Sequence, residues 1–286
     1  MYVVTSYVTF NEESGVYVQQ PIAILDSGVG GLTVVKEVMR QLPREKIIYF
    51  GDTARTPYGP RPAEEVIRFT REIVDYLIQF RPKMIVIACN TATAFALEDI
   101  RSRVTVPVIG VIHPGARAAI NRTQSGFVGV IGTEGTINSG AYQDALKQLK
   151  PQIEVISRAC PKFVPLVEQG NFRSEETYKT VAESLQSLCS TPIDTLILGC
   201  THYPFLADAI AEAMGRHISL ISSAEETARD ISTVLQVKGR LALGEVMPVH
   251  HFCCSGDPAL FQTIARQWLN EEIEWTPIVW QVPNIG

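Results

Sequence analysis

The sequence predicts an α/β protein of two similar domains, each a mainly parallel sheet flanked by helices, facing each other across a cleft. Short apolar runs alternate with longer segments of helical periodicity, the pattern of parallel strands with covering helices. A second observation is a repeated device. Ile22–Leu25 ends at Asp26-Ser27-Gly28 and Met84–Ala88 at Cys89-Asn90-Thr91; later, Val128–Ile131 ends at Gly132-Thr133-Glu134-Gly135 and Leu196–Gly199 at Cys200-Thr201-His202. Asp26 and Cys89 are 63 residues apart, and Thr133 and Cys200 are 67. Ligands of open α/β sheets sit beyond the carboxyl ends of strands, so the matched spacing offers one thiol from each half to a shared cleft.

In the first half, strands are expected at Ile22–Leu25, Ile47–Phe50, Met84–Ala88 and Pro107–Ile112, and helices at Leu32–Gln41, Ala63–Phe80 and Thr91–Arg101. In the longest helix Val66, Phe69, Ile73, Tyr76, Leu77 and Phe80 recur at helical spacing, with Glu64, Glu65, Arg68, Arg71 and Glu72 on the other sides. Pro43, Pro62, Pro82 and Pro107 punctuate the boundaries. From His113 the pattern restarts. Strands are expected at Phe127–Ile131, Ile153–Ile156, Thr195–Leu198 and Ile218–Ile221, with helices at Ile137–Leu149, Glu175–Leu188, Phe205–Met214 and Ala224–Leu235. The tail adds a strand near Val249–Cys253, a helix at Pro258–Leu269 and an apolar segment, Trp275–Val282. A tail returning to the first half makes residues 21–112 plus 222–286 one domain and 113–221 an inserted second one, after an extension, 1–20, of no assigned role.

Composition excludes several classes. The 286 residues are 46% hydrophobic and 19% charged, which suits a soluble globular chain with a substantial core. A formal charge of −5 without a long basic run argues against a dedicated nucleic-acid surface. No apolar run approaches the roughly 18 residues of a membrane span. Six cysteines without C-x-x-C spacing, behind an N-terminus lacking the features of a signal peptide, read as reduced thiols of a cytoplasmic protein.

Two opposed thiols suit removal of a proton from one face of a carbon and delivery of another to the opposite face. A free cysteine titrates near about 8.5, so thiol and thiolate exchange roles at modest cost near neutrality. Asp26 and His202 adjoin the two cysteine motifs and are candidates to tune them. As structural residues they would be a helix cap and a packed helix-entry residue. The turn Gly28-Val29-Gly30-Gly31-Leu32-Thr33 places Thr33 where a dinucleotide fingerprint needs its third glycine, so its amides are expected to hold a carboxylate rather than a pyrophosphate. The long polar loop from Tyr49 to Pro62 brings Asp52, Arg55, Tyr58 and Gly59 as further candidates, the first two also readable as a solvated ion pair. In His250-His251-Phe252-Cys253-Cys254 neighbours on a strand face opposite ways, so no metal centre is expected there.

Asp26–Thr33, Gly51–Gly59, Ala88–Ala94 and Leu198–Pro204 together resemble the motifs of the glutamate racemases, and the resemblance runs from about residue 21 into the C-terminal region. It implies two α/β domains around a buried cleft and interconversion of L- and D-glutamate without pyridoxal phosphate, other cofactor or metal, supplying D-glutamate for peptidoglycan. It also implies that Cys89 takes the proton from the D-isomer and Cys200 from the L-isomer, assisted by Asp26 and His202 respectively. Ser27, Tyr58, Gly59, Asn90, Thr91 and Thr201 match its substrate-contacting positions, and Asp52, Thr133 and Glu168 its supporting ones. A homodimer is common in the family. Rival expectations are an aspartate racemase of the wider superfamily, a protein that restrains DNA gyrase, and a thiol redox or zinc protein. The N-terminal arm and Cys253-Cys254 lie outside the motifs.

Overall fold

The computed structural model describes residues 19–243, 247–269 and 277–283; most of the N-terminal extension and the start of the apolar segment at Trp275 lie outside the described residues. The chain opens with β1 (Ile22–Asp26), α1 (Leu32–Gln41), β2 (Ile47–Gly51), α2 (Ala63–Leu77), β3 (Met84–Ile87), α3 (Asn90–Arg103) and β4 (Val108–Gly110). α4 (Ile112–Arg122) leads into β5 (Phe127–Gly132), α5 (Glu134–Asn138), α6 (Ala141–Leu149), β6 (Glu154–Ala159), α7 (Phe163–Glu168), α8 (Glu175–Leu185), β7 (Thr195–Gly199), α9 (Ala207–Met214) and β8 (Ser219–Ile221). α10 (Ser223–Val237), β9 (His250–Cys254), α11 (Pro258–Leu269) and β10 (Ile278–Gln281) complete it.

The strands form two sheets, ordered β10-β9-β2-β1-β3-β4 and β6-β5-β7-β8, and every strand pairing described is parallel. Apart from the tail strands, the two orders are the same permutation. β1 corresponds to β5, and β3 to β7. Each sheet therefore has its topological switch point between equivalent strands, where side chains beyond the strand ends border a crevice. All residues of β1, β2, β3 and β7 are buried, so these strands read as continuous apolar runs. β6, at an edge, is only partly covered and carries Glu154 and Arg158.

Several elements depart from expectation. The fourth strand ends at Gly110, and Ile112 opens a helix absent from the sequence reading. The expected helix over Ile137–Leu149 is two helices, because Gly140 adopts φ 72°, a left-handed conformation that breaks the run. The expected helix at Phe205 begins with a 3-10 turn, Tyr203–Leu206, before α9. The tail strands pair beside β2 in the first sheet. Phe252 and Cys254 face one apolar core and Cys253 another, as alternation along a strand requires. Among the described residues no helix is long and apolar enough to cross a membrane.

Candidate active site

Cys89 stands two residues beyond the end of β3 and caps α3. Its backbone is extended, and its Sγ accepts the Ala92 N–H at 3.4 Å, an orphan donor of the first turn. Cys200 stands at the corresponding place after β7, followed by Thr201 and His202 on the entry to the 3-10 turn. The two thiols are 5% and 6% exposed.

Their surroundings differ. Burial pushes the Cys89 thiol up to about 12, helped by the negative charge of Asp26 and, more weakly, by Cys200; donors from Ala92 and Ser27 act in the other direction. Cys200 Sγ instead lies 3.6 Å from His202 Nδ1. His202 Nε2 lies 2.5 Å from Glu168 Oε1. Burial alone would depress the imidazolium, but hydrogen bonds to Cys200 and Glu168, and their charge, outweigh it and hold His202 well above its ordinary value. Asp26, fully buried, is raised by burial, against the opposing effects of His202, of the Thr201 hydroxyl and of backbone donors.

A polar seam joins the halves around the thiols. Thr201 Oγ1 donates to Asp26 Oδ1 at 3.0 Å, Val29 N–H to Glu168 Oε1 at 2.9 Å, and Gly135 N–H to the Gly59 carbonyl at 2.8 Å. The Thr91 and Thr133 hydroxyls are 2.8 Å apart, and Tyr142 OH donates to Asn90 Oδ1 at 2.7 Å. The glycines of the first turn permit this closeness: a Cβ on Gly28 would collide with Glu168, and one on Gly30 would lie 2.4 Å from His202 Nδ1. The expectation of free amides in that turn is corrected. Gly28 N–H is taken by Asp26 Oδ2 and Val29 N–H by Glu168, so the chain's own carboxylates occupy the place expected for a substrate's.

Asp52 is buried rather than half of a solvated pair. Its carboxylate accepts from Tyr58 OH at 2.5 Å, Arg55 Nε at 2.7 Å and Ser255 Oγ at 2.7 Å, which fixes the loop that presents Gly59 to Thr133. Burial and the Asp52 charge keep the Tyr58 phenol far above its usual range, hence protonated. All fourteen sequence-predicted residues, Arg55 included, thus lie along the seam or support it. His250, by contrast, accepts the Ile47 N–H at 3.1 Å through Nδ1, and no group of potential metal ligands occurs among the described residues. Sequence reasoning missed Tyr142 and Thr136, which bond Asn90 and Thr91 from the second half. Thr136 carries a signal in hindsight, three residues beyond the cap Thr133; Tyr142 looks like any core residue of an amphipathic helix.

Two like-built parallel sheets that present paired thiols across a polar seam define a class, and comparison identifies it. Residues 26–231 match the Asp/Glu/hydantoin racemase family model, and the chain belongs to that family. It is 54% identical over 253 residues to the glutamate racemase of Bacillus cereus, covering 88% of this chain and 94% of the relative, and 52% identical over 255 residues to that of Enterococcus faecalis, covering 89% and 93%. Among solved structures, a glutamate racemase isoform of Bacillus anthracis matches with a TM-score of 0.87 at 47% identity, over 93% of this chain and 97% of the other. The Francisella tularensis glutamate racemase, solved with D-glutamate, matches with a TM-score of 0.85 at 33% identity over 93% and 98%. Within the family the chain therefore stands with the glutamate racemases, and it is an isomerase.

Proposed function

We propose that the protein interconverts L- and D-glutamate by two-thiol acid/base catalysis, Cys89 and Cys200 acting on opposite faces of the substrate Cα. One observation carries the reading: the thiols stand at equivalent strand ends of two equivalent sheets, buried and close enough to sense each other's charge, each beside its own ionisable neighbour. One sulfur, as thiolate, removes the Cα proton, leaving a carbanion-like centre; the other, as thiol, delivers a proton from the far side. The reverse direction uses the same groups with roles exchanged. Burial of the seam excludes water and strengthens the local electrostatics on which such a centre depends.

His202, held by Glu168, supports the thiolate of Cys200, and Asp26 serves the Cys89 side. Among the described residues Asn90 Nδ2 is a buried donor without a partner, suited to a substrate carboxylate, and Ser27, Thr91, Thr201 and the Tyr58–Gly59 loop complete the substrate's surroundings. In this reading residues 21–112 with 222–286 and residues 113–221 are the two bodies that open to admit substrate, and no cofactor or metal takes part. The physiological role we assign is cytoplasmic supply of D-glutamate for peptidoglycan, by a homodimer whose mass in solution is measurable by light scattering.

The test is deuterium incorporation at Cα of each glutamate enantiomer in heavy water, with wild type, Cys89→Ser and Cys200→Ser and no added cofactor. Exchange with racemisation in wild type, collapsing in both variants, is expected. Exchange of aspartate but not glutamate would overturn the substrate; activity surviving either substitution would overturn the mechanism.

A further inference from the structure

Tyr142 is a buried ionisable group to which these proton transfers give no part. It projects from α6 with 2% exposure and packs against the strand end that carries Cys200: a Cβ on Gly199 would meet its ring at 3.0 Å. Burial, with a smaller contribution from the Cys200 charge, keeps its phenol well above the usual range and so protonated. The hydroxyl crosses to the other half and donates to Asn90 Oδ1 at 2.7 Å. Ser223 stands beside the same hydroxyl. A Cβ on Gly115 would lie 3.2 Å from the same hydroxyl and 3.1 Å from Ser223 Cβ. Gly115 and Ser223 belong to α4 and α10, the segments by which the chain leaves the first sheet after β4 and leaves the second after β8. The hydroxyl thus sits where both crossings meet the site.

A phenol has one proton to donate. It gives that proton to Asn90, and this sets the amide: Oδ1 faces Tyr142, and Nδ2 faces away. That Nδ2 is a buried donor without a partner among the described residues. Rotation of the amide would give up that hydrogen bond and turn Oδ1, an acceptor, to the side where Nδ2 now stands, so the tyrosine favours the present orientation.

We propose that Tyr142, with Ser223 beside it, is a positioning residue that holds the Asn90 amide with Nδ2 presented to a substrate carboxylate. The lock closes only when α6 and α3 are brought together, so a competent binding site is tied to closure of the halves. The inference rests on the reading that an amino-acid carboxylate binds between Cys89 and Cys200.

The experiment is steady-state racemisation of both glutamate enantiomers by the full-length enzyme carrying Tyr142→Phe, Ser223→Ala, Asn90→Ala and their combinations. Tyr142→Phe is expected to raise KM for both enantiomers about ten-fold, the scale of one hydrogen bond to a charged group, with kcat within about two-fold of wild type. Ser223→Ala should act in the same direction and more weakly. In the Asn90→Ala background neither substitution should add a further loss, because the group they position is gone. Unchanged KM in Tyr142→Phe, a fall in melting temperature without a KM effect, or losses that multiply with Asn90→Ala would each overturn the positioning role. If Tyr142→Phe does not fold, Ser223→Ala alone and combined with Asn90→Ala decides by the same criteria. A wild type that racemises no dicarboxylic amino acid would overturn the functional reading, and this role with it; a wild type active on glutamate with an indifferent Tyr142→Phe overturns only the role.

Discussion

Glu168→Gln removes one charge and almost no volume, and it isolates what holds the Cys200 side of the site. Glu168 Oε1 accepts Val29 N–H at 2.9 Å and faces His202 Nε2 at 2.5 Å, with the Glu168 side chain 15% exposed and that of His202 1%. Hydrogen bonds to charged groups contribute about 1.5–3 kcal/mol against about 1 for neutral ones. The substitution therefore weakens the imidazolium by about 1–2 kcal/mol, a fall of about one pH unit in where His202 titrates. The sign follows from the raised value: the imidazolium persists to higher pH in wild type, and its stabilisation is full below about 6.5 and lost as pH rises through the folded value. With glutamine it is lost at lower pH, and the Cys200 thiolate must form without a cationic neighbour. At neutral pH kcat/KM should fall about 5- to 30-fold, with the alkaline limb set by loss of the imidazolium displaced downward by about one pH unit. Because enantiomers are equal in free energy, the fall in kcat/KM must be the same in both directions. Initial rates by circular dichroism, for each enantiomer across the pH range, measure this. A loss of rate with an unmoved pH profile would refute the charge argument; an unchanged rate would remove Glu168 from the site's chemistry.

Three further outcomes follow from the packing. Gly30→Ala sets a Cβ 2.4 Å from both His202 Nδ1 and Thr201 Oγ1, so racemisation should fall by about 100-fold through misplacement of these groups, with a stability loss of about 1–3 kcal/mol in thermal unfolding. Burial opposes the Asp194 carboxylate, but donors from Thr123, Ser125 and Gln124 outweigh it and hold it well below the usual range; Asp194→Asn should cost about 1–3 kcal/mol at neutral pH, and the difference from wild type should shrink as pH falls through the folded value. Lys83 and Glu45 form a buried ion pair at 2.5 Å, with Lys83 also donating to the Arg240 carbonyl; Lys83→Met alone should cost about 3–5 kcal/mol in denaturant unfolding, and adding Glu45→Leu should recover much of it.

The sheets and the two cysteine positions were legible because buried parallel strands are apolar throughout and end in polar turns, and both signals survive in a single sequence. The equivalence of the halves was legible from spacing, although the common strand order needed the structure. Three features were hidden. Ile112 reads as the continuation of an apolar strand, and only the pairing of β3 with β4 shows that the ladder stops at Gly110. The amides of the first turn look free in sequence, since nothing in the local run announces that Glu168, 139 residues from Val29, will reach them. Tyr142 carries no motif, because its part depends on contacts with Asn90 and Ser223 across long separations.

The halves are built alike but are not charged alike. Where the first sheet ends β1 at Asp26, the second follows β5 with Thr133; where the first motif runs Cys89-Asn90-Thr91, the second runs Cys200-Thr201-His202. An acid therefore stands beside Cys89 and an imidazolium beside Cys200. On the proposed mechanism a thiolate at Cys89, whose thiol is pushed up to about 12, forms against burial and the Asp26 charge, whereas one at Cys200 faces the His202 imidazolium. Turnover of one enantiomer uses the thiolate beside His202, whereas turnover of the other places a thiolate beside Asp26. Equality of kcat/KM in the two directions is imposed by thermodynamics, and it leaves kcat and KM free to differ together. The electrostatic asymmetry thus appears as unequal kcat values for the enantiomers with matching differences in KM, from a fold whose backbone is nearly symmetric.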